Sequence, residues 1–441
     1  MTEDKEEQER SKLFSIRNFG KSLGPGVITG ASDDDPSGIA TYSQAGAKFG
    51  LGLLWTALFQ LPMMIVVQEM CARIGLVTGK GLAKVIKDRY SYKLAYPIST
   101  LLLIANTINI GADIGAMAAS TKLVVPDIPI VLATITYSAI IISAEILIPY
   151  AKYVRLLRYL TISLFAYVAT AIIVGGNFTQ IFLATVIPHI EFTPSYAMMF
   201  VAILGTTISP YLFFWQSSEE AEEDVARHKI REIGEGKPEV SKKEIMTMKK
   251  DVAVGMLFSQ LITWVIMITT AGSLHINGIT DIQTADQAAQ ALEPLVKIFP
   301  YSGELSKAIF ALGIIGTGLL AIPVLAGSSA YALSETFGWK EGLGKKFGKA
   351  KSFYLVIIFS TIIGLWIALS NIDPIQALIY AAVINGIVAV PILFVILKIS
   401  NDKTILVDRT NGLFSRIVGW ITFAIMTISV MAFLILTAIH S

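Results

Sequence analysis

Three consecutive carboxylates, Asp33-Asp34-Asp35, run into Pro36-Ser37-Gly38 within a stretch otherwise apolar enough for a membrane helix, with Gly24-Pro25-Gly26 and Gly30 ahead of them. An acidic side chain at membrane depth is costly, so each of the three marks a functional site by default. Proline removes a backbone hydrogen bond, glycine adds freedom, and Asp and Ser can bond the local backbone, so the helix is expected to unwind near residues 34–38. A second interruption, Gly205-Thr206-Thr207-Ile208-Ser209-Pro210-Tyr211, falls near the middle of another apolar stretch. Unwound carbonyls beside a carboxylate suit a cation. Asp35, next to Pro36, has the best claim on it, while Asp33 and Asp34 could instead cap the helix or face a water-filled cavity. An intramembrane enzyme would need a paired nucleophile and base, or a His-rich cluster, within the apolar stretches. None is found: His189, His228, His275 and His440 fall in loops or at a terminus.

The elements that must hold these residues follow from composition. The chain has 441 residues, 54% hydrophobic and 15% charged, with a mean hydropathy of +0.64. Soluble domains carry about 25% charged residues. The balance excludes a soluble multi-domain enzyme, a disordered regulator and a nucleic-acid binder, and a net charge of +2 gives no field for polyanions. The lone Cys71 excludes a disulfide framework or thiolate cluster. The first 21 residues are charged, without the apolar core of a cleavable signal, and read as a cytoplasmic tail, disordered or on the membrane surface. With about 20 apolar residues needed per crossing, eleven spans are expected, near residues 22–46, 52–76, 95–119, 128–149, 157–176, 197–226, 250–273, 305–333, 353–371, 375–397 and 416–438. A cytoplasmic N-terminus then puts 31 of the 35 basic residues inside and leaves only Lys48, Lys122, Lys297 and Lys307 outside. The expectation is a multi-pass protein of the plasma or inner membrane with an extracytoplasmic C-terminus. The segments 227–249 and 274–304 read as solvated connectors. Oligomeric state is not legible, and a monomer fits.

The interrupted spans, first and sixth, stand five helices apart, and an odd number of spans inverts the second copy. The expected architecture is all-α: two inverted five-helix repeats, 22–176 and 197–397, each opened by a discontinuous helix, with an eleventh helix at 416–438. That is the layout of LeuT-like secondary transporters, whose site lies where the breaks meet.

The residues around the first break resemble the opening of the Nramp family of divalent-metal transporters: Gly24-Pro25-Gly26, Asp35-Pro36-Ser37-Gly38-Ile39-Ala40-Thr41 and Gln44-Ala45-Gly46-Ala47-Lys48-Phe49-Gly50. The similarity continues through Ala72-Arg73-Ile74-Gly75-Leu76-Val77-Thr78-Gly79 and Leu82-Ala83. The resemblance implies a LeuT-like fold and divalent-cation transport. It also exposes departures. The family's metal-binding asparagine falls on Gly38, its methionine on Ser209, the following histidine on Tyr211, and the alanine whose carbonyl binds metal on Thr206. A second histidine falls on Gln216, and an acidic pair on Asn109 and Ala112, with Asp113 off that register.

Without the soft thioether, the remaining hydroxyl, carbonyl and carboxylate donors suit Mg²⁺ or Mn²⁺. Gly38 and Ser209 leave room for a partly hydrated ion, as Mg²⁺ prefers. The pattern looks like the magnesium-transporting branch of the family and implies an uncoupled carrier of Mg²⁺, with Mn²⁺ as a further cargo and no resident cofactor. The alternatives are a proton-coupled Mn²⁺/Fe²⁺ transporter and a sodium-coupled organic-solute symporter on the same scaffold. The expected ion site comprises Asp35, Gly38, Thr206, Ser209, Tyr211 and Asp34, with Asn109 and Asn385 reaching the water shell. Glu69 and Glu145 are expected to pair with arginines or other polar groups of the bundle. The run Glu219-Glu220-Glu222-Glu223-Asp224 reads equally as an acidic funnel or a solvated helix end.

Overall fold

The structure, a computed structural model, describes residues 24–148, 163–174, 176–370 and 372–440. The N-terminal tail, Lys152, Arg155, Arg158 and the first part of the fifth expected span lie outside the described residues.

Among the described residues all regular elements are helical. In chain order they are α1 (Pro25–Asp33), α2 (Pro36–Phe49), α3 (Trp55–Thr78), α4 (Leu82–Tyr90), α5 (Tyr92–Val124), α6 (Ile130–Leu147), α7 (Phe165–Val174), α8 (Phe178–Val186), α9 (Pro194–Thr207), α10 (Pro210–Ala226), α11 (Lys242–Ser273), α12 (Ala285–Gln290), α13 (Glu293–Val296), α14 (Ser302–Phe337), α15 (Lys351–Ala368), α16 (Pro374–Ser400), α17 (Lys403–Leu406) and α18 (Leu413–His440). Helices satisfy their backbone groups internally, which a hydrocarbon solvent demands. Nine stretches among the described residues are long and apolar enough to cross a membrane, α9 and α10 counting as one. Two of the eleven expected spans are absent from that set for separate reasons. The first is divided into α1 and α2, of nine and fourteen residues. The fifth is described only from residue 163, where α7 has ten residues.

The helices α3, α5, α9, α10 and α14 are largely buried and form the centre, whereas α6, α15 and α18 lie at the periphery. Ile135, Trp366 and Ile428 point outward from those peripheral helices, as a lipid-facing surface requires. Close approach between helices depends on small residues. Gly205 of α9 meets the backbone of Ala382 and Gly386 on α16, and a Cβ added there would lie 2.9 Å from the Gly386 Cα.

Both expected connectors are more structured than sequence implies. Residues from Lys242 onward already belong to α11, started by a capping box in which Ser241 and Glu244 bond each other's backbone amides. The segment 274–304 carries α12 and α13, whose Ala288, Ala289 and Val296 are buried together with Leu292. It also covers the α2 end of the first span: Gln44 donates to the Thr280 carbonyl at 3.2 Å and accepts from the Ile282 amide at 2.8 Å. These short apolar pieces fall below a twenty-residue ruler, as do α4 and α8.

Candidate functional site

The first break is narrower than the five residues expected. Only Asp34 and Asp35 separate α1 from α2, because Pro36 occupies the first helical position, where its missing N–H costs nothing and its fixed φ favours the helix. Asp35 is the N-cap of α2. Its Oδ1 accepts from the Gly38 amide at 2.7 Å and from the Ser37 hydroxyl at 2.7 Å. The second break repeats the device: Ile208 and Ser209 separate α9 from α10, which starts on Pro210. The breaks touch where the Tyr211 hydroxyl donates to the Ser32 carbonyl at 3.1 Å, at the carboxyl end of α1.

A polar network runs inward from Asp35. Its Oδ2 accepts from the Asn109 amide of α5 at 3.1 Å, and the same nitrogen donates to Asp113 Oδ2 at 3.1 Å. The Asn109 oxygen accepts from Asn385 of α16 at 2.9 Å. The residues Asp35, Asn109 and Asn385 are thus brought together, and Asp113 joins them. Asp113 lies off the family register, so that resemblance alone gives it no role. Its separation of four residues from Asn109 was the available signal, since i and i+4 share a helix face.

The other two carboxylates face a different helix. The Ser259 hydroxyl of α11 lies 2.5 Å from Asp33 Oδ2 and 3.3 Å from Asp34 Oδ1. Neither acid caps a helix N-terminus, and both are fully buried. The three acids therefore divide at the break, Asp35 toward α5 and the other two toward α11. Nothing in the local sequence marks Ser259 for this role.

The second break contributes carbonyls more than hydroxyls. Ser209 donates to the Gly205 and Thr206 carbonyls, both at 2.6 Å, and the Thr206 hydroxyl donates to Ile203 at 3.0 Å. Ser209 and Thr206 are bonded to one another at the end of α9 and make no direct hydrogen bond to Asp35. Gly38 lies between the sides: a Cβ there would be 3.2 Å from the Tyr42 ring, 3.4 Å from the Asp33 carbonyl and 3.4 Å from Asp35 Oδ1.

Four buried oxygens around the break, Asp33 Oδ1, Asp34 Oδ2, Asp113 Oδ1 and Asn385 Oδ1, have no hydrogen-bond partner among the described residues. The described ion pairs include none of Asp33, Asp34, Asp35 and Asp113. Buried polar atoms are nearly always paired, so such a group of orphans calls for a cation or its water. Among the described residues no set of three or more His, Cys, Asp and Glu side chains is assembled to hold a metal alone. Any ion held here would draw on amides, carbonyls and water as well as carboxylates.

The remaining acidic residues separate into three kinds. Glu69 pairs with Arg73 at 3.2 Å and Lys249 at 3.4 Å, as expected. The expectation of a partner for Glu145 is not met: neither of its oxygens has a hydrogen bond among the described residues. The acidic run on α10 is not a simple solvated end, because Glu220 and Asp224 are buried. Gln216 donates to Glu220 at 3.1 Å, and Lys229 lies 3.2 Å from Asp224.

With this geometry in view, the comparisons with known proteins converge. The chain is 27% identical over 414 residues to a divalent metal cation transporter, MntH, of Klebsiella pneumoniae, covering 92% of this chain and 91% of the relative. Its fold superimposes on a crystal structure of the Eremococcus coleocola manganese transporter with a TM-score of 0.72 at 18% identity, over 95% of this chain and 87% of that one. The amino-acid-bound structure of MhsT matches at a TM-score of 0.59 and 12% identity, over 95% and 98%. Together these likenesses establish the LeuT-like fold. Residues 26–436 match the family model described as natural resistance-associated macrophage protein-like. The chain belongs to the Nramp family.

Proposed function

We propose that this protein carries divalent metal cations across a membrane by alternating access, with the ion held between the two helix breaks. The observation that carries the reading is the set of four orphaned buried oxygens around Asp35 and Asn109. In this reading Asp35 is the anchoring charge. The Thr206 carbonyl, Ser209, Tyr211 and the Gly38 backbone border the ion, and Asp34, Asn109 and Asn385 hold it or its waters. The two broken helices open inverted repeats, the N-terminus is cytoplasmic, and the ion crosses where the repeats meet.

For the cargo, Mn²⁺ fits both the oxygen donors and the similar proteins, a divalent metal cation transporter and a manganese transporter. The finer part of the proposal is that Mg²⁺ is admitted as well. Support comes from Ser209, an oxygen donor rather than a thioether, and from Gly38, which offers no side-chain ligand and so leaves more of the coordination shell to water. A membrane potential of about 100 mV supplies roughly 4.6 kcal/mol to a divalent ion, so uncoupled entry is energetically sufficient. The second reading, proton-coupled Mn²⁺ or Fe²⁺ transport, takes its weight from the relatives rather than from the donor set.

The test is Mn²⁺ uptake into proteoliposomes with Mg²⁺ as competitor and a pH dye in the lumen. Inhibition by millimolar Mg²⁺ with a flat dye signal is expected. Uptake indifferent to Mg²⁺ and accompanied by acidification would replace the first reading with the second. Asp35→Ala must abolish uptake under either.

A further inference from the structure

The short helix α1 enters without a cap of its own. Its N-cap is Gly24, Pro25 has no N–H to offer, and the amides of Gly24 and Gly26 would otherwise be orphaned. Both are taken by one carboxylate more than two hundred residues away. Asp251 of α11 accepts from Gly24 at 3.1 Å through Oδ1 and from Gly26 at 2.7 Å through Oδ2.

The contact continues along one stripe of α11. One turn above Asp251, Gly255 meets α1 backbone to backbone: a Cβ added to Gly30 would lie 2.6 Å from the Gly255 Cα, and one added to Gly26 would lie 2.6 Å from the Val252 amide. One further turn on, Ser259 bonds Asp33 and Asp34. Residues 251, 255 and 259 therefore grip the beginning, middle and end of α1. The stripe recurs every four residues, as one helix face must. The middle contact is van der Waals packing of small residues, while the end contacts are directional bonds.

At its other end α1 is joined to α2 only through the two-residue break. No backbone hydrogen bond of α2 reaches back past the break; its first, from Ile39, ends on Asp35. We propose that Asp251 is the catch that holds α1 against α11, and that releasing it lets α1 pivot at Asp34–Asp35 and open one side of the cation site. Asp251 contacts no reacting group and acts through α1, so it is a positioning residue. The proposal does not depend on which ion is carried.

The experiment uses the full chain in lipid nanodiscs, with Cys71→Ser removing its one cysteine. A reporter cysteine is placed at Ser32, at the far end of α1, and in a second protein at Thr41, beyond the break on α2; both positions are fully buried. The readout is the rate of reaction with a membrane-impermeant maleimide. Asp251→Ala is expected to speed labelling at position 32 by about tenfold, the scale set by losing two charge-assisted bonds at a helix cap. Asp251→Asn, which keeps one acceptor, falls between. Position 41 stays slow in both, which a general loosening would not allow. The idea is overturned if position 32 labels within twofold of the parent in the Asn variant, or if position 41 accelerates equally. Should the Ala variant fail to fold, the Asn variant alone decides.

Discussion

Asn109 donates its side-chain amide to Asp35 across 74 residues of sequence, at 3.1 Å. The contact fixes which face of the break the acid presents, because Asp35 already spends its other oxygen on the start of α2. The amide nitrogen also serves Asp113, so two buried carboxylates share one neutral donor rather than a cationic partner. An arginine in that position would neutralise them and leave no electrostatic need for an ion. A shared amide orients the acids without neutralising them, as the proposed cation site requires.

Replacing Asn109 by Leu keeps most of the volume and removes the donor. Asp35 Oδ2 and Asp113 Oδ2 then lose a protein partner, at a cost of about 1–3 kcal/mol for a buried group. Apparent Mn²⁺ affinity is expected to fall at least about tenfold, with Asp35 no longer held in register. Calorimetric titration of the purified protein checks this. Affinity equal to the parent's would mean that the ion sits elsewhere.

Gly38→Asn places a carboxamide where the resemblance to the family implies a metal-binding asparagine. The nearest neighbours of the new Cβ, at 3.2–3.4 Å, ask for a shift of only a few tenths of an ångström. The amide would then occupy space that the proposal assigns to water. Transport of Mg²⁺ is expected to drop at least about tenfold relative to Mn²⁺, since Mg²⁺ gives up its water more reluctantly. Competition of the two ions in the same proteoliposomes measures the ratio, and an unchanged ratio would remove Gly38 from the selectivity argument.

What sequence made legible here was whatever interrupts an apolar pattern. Asp33 to Pro36 and Ser209-Pro210 break long hydrophobic runs with residues whose backbone effects are local, so both breaks are legible, though the first is narrower than expected because a proline in the first helical position restores the helix at once. The apolar spans were legible for the same reason. Ser259 was not, since a single hydroxyl in an apolar helix gains meaning only from the acids packed against it, 225 and 226 residues earlier in sequence. Asp113 stood out as a charge in a span, yet its role depended on sharing a face with Asn109. The burial of Glu220 and Asp224 is hidden in a run that, by composition alone, reads equally as an acidic funnel or a solvated helix end.

The α9–α16 contact predicts a sharp contrast between glycines. Gly205→Ala would press a methyl group into the backbone of Ala382 and Gly386, where nothing flexible can yield. Overpacking of this kind costs about 1–3 kcal/mol or more. The variant is expected to melt several degrees lower and to lose transport, because Asn385 lies next to the displaced backbone. Gly412→Ala, which meets no atom within 4 Å, should leave the melting temperature unchanged. Thermal melts in detergent distinguish the two, and equal melting points would refute the packing argument.

A pH-dependent contact lies between Asp402 and Arg89, apart from the proposed cation site. Asp402 accepts from the Thr404 hydroxyl at 2.6 Å and from the Arg89 guanidinium at 2.7 Å, joining the loop after α16 to α4. The hydroxyl first, and then the arginine, hold its carboxyl below the usual carboxylate range. A carboxyl depressed in the folded state adds stability above its unfolded pKa of about 4, and that contribution disappears as pH falls through the lower folded value. The melting temperature of Asp402→Asn should therefore lie below the parent's by a constant margin between about pH 5 and pH 8, with the gap closing below about pH 4. Arg89 is exposed, so the margin is small, and added salt should shrink it further. A gap that persists at pH 3, or that ignores salt, would show that Asp402 acts through the shape of the loop rather than through its charge.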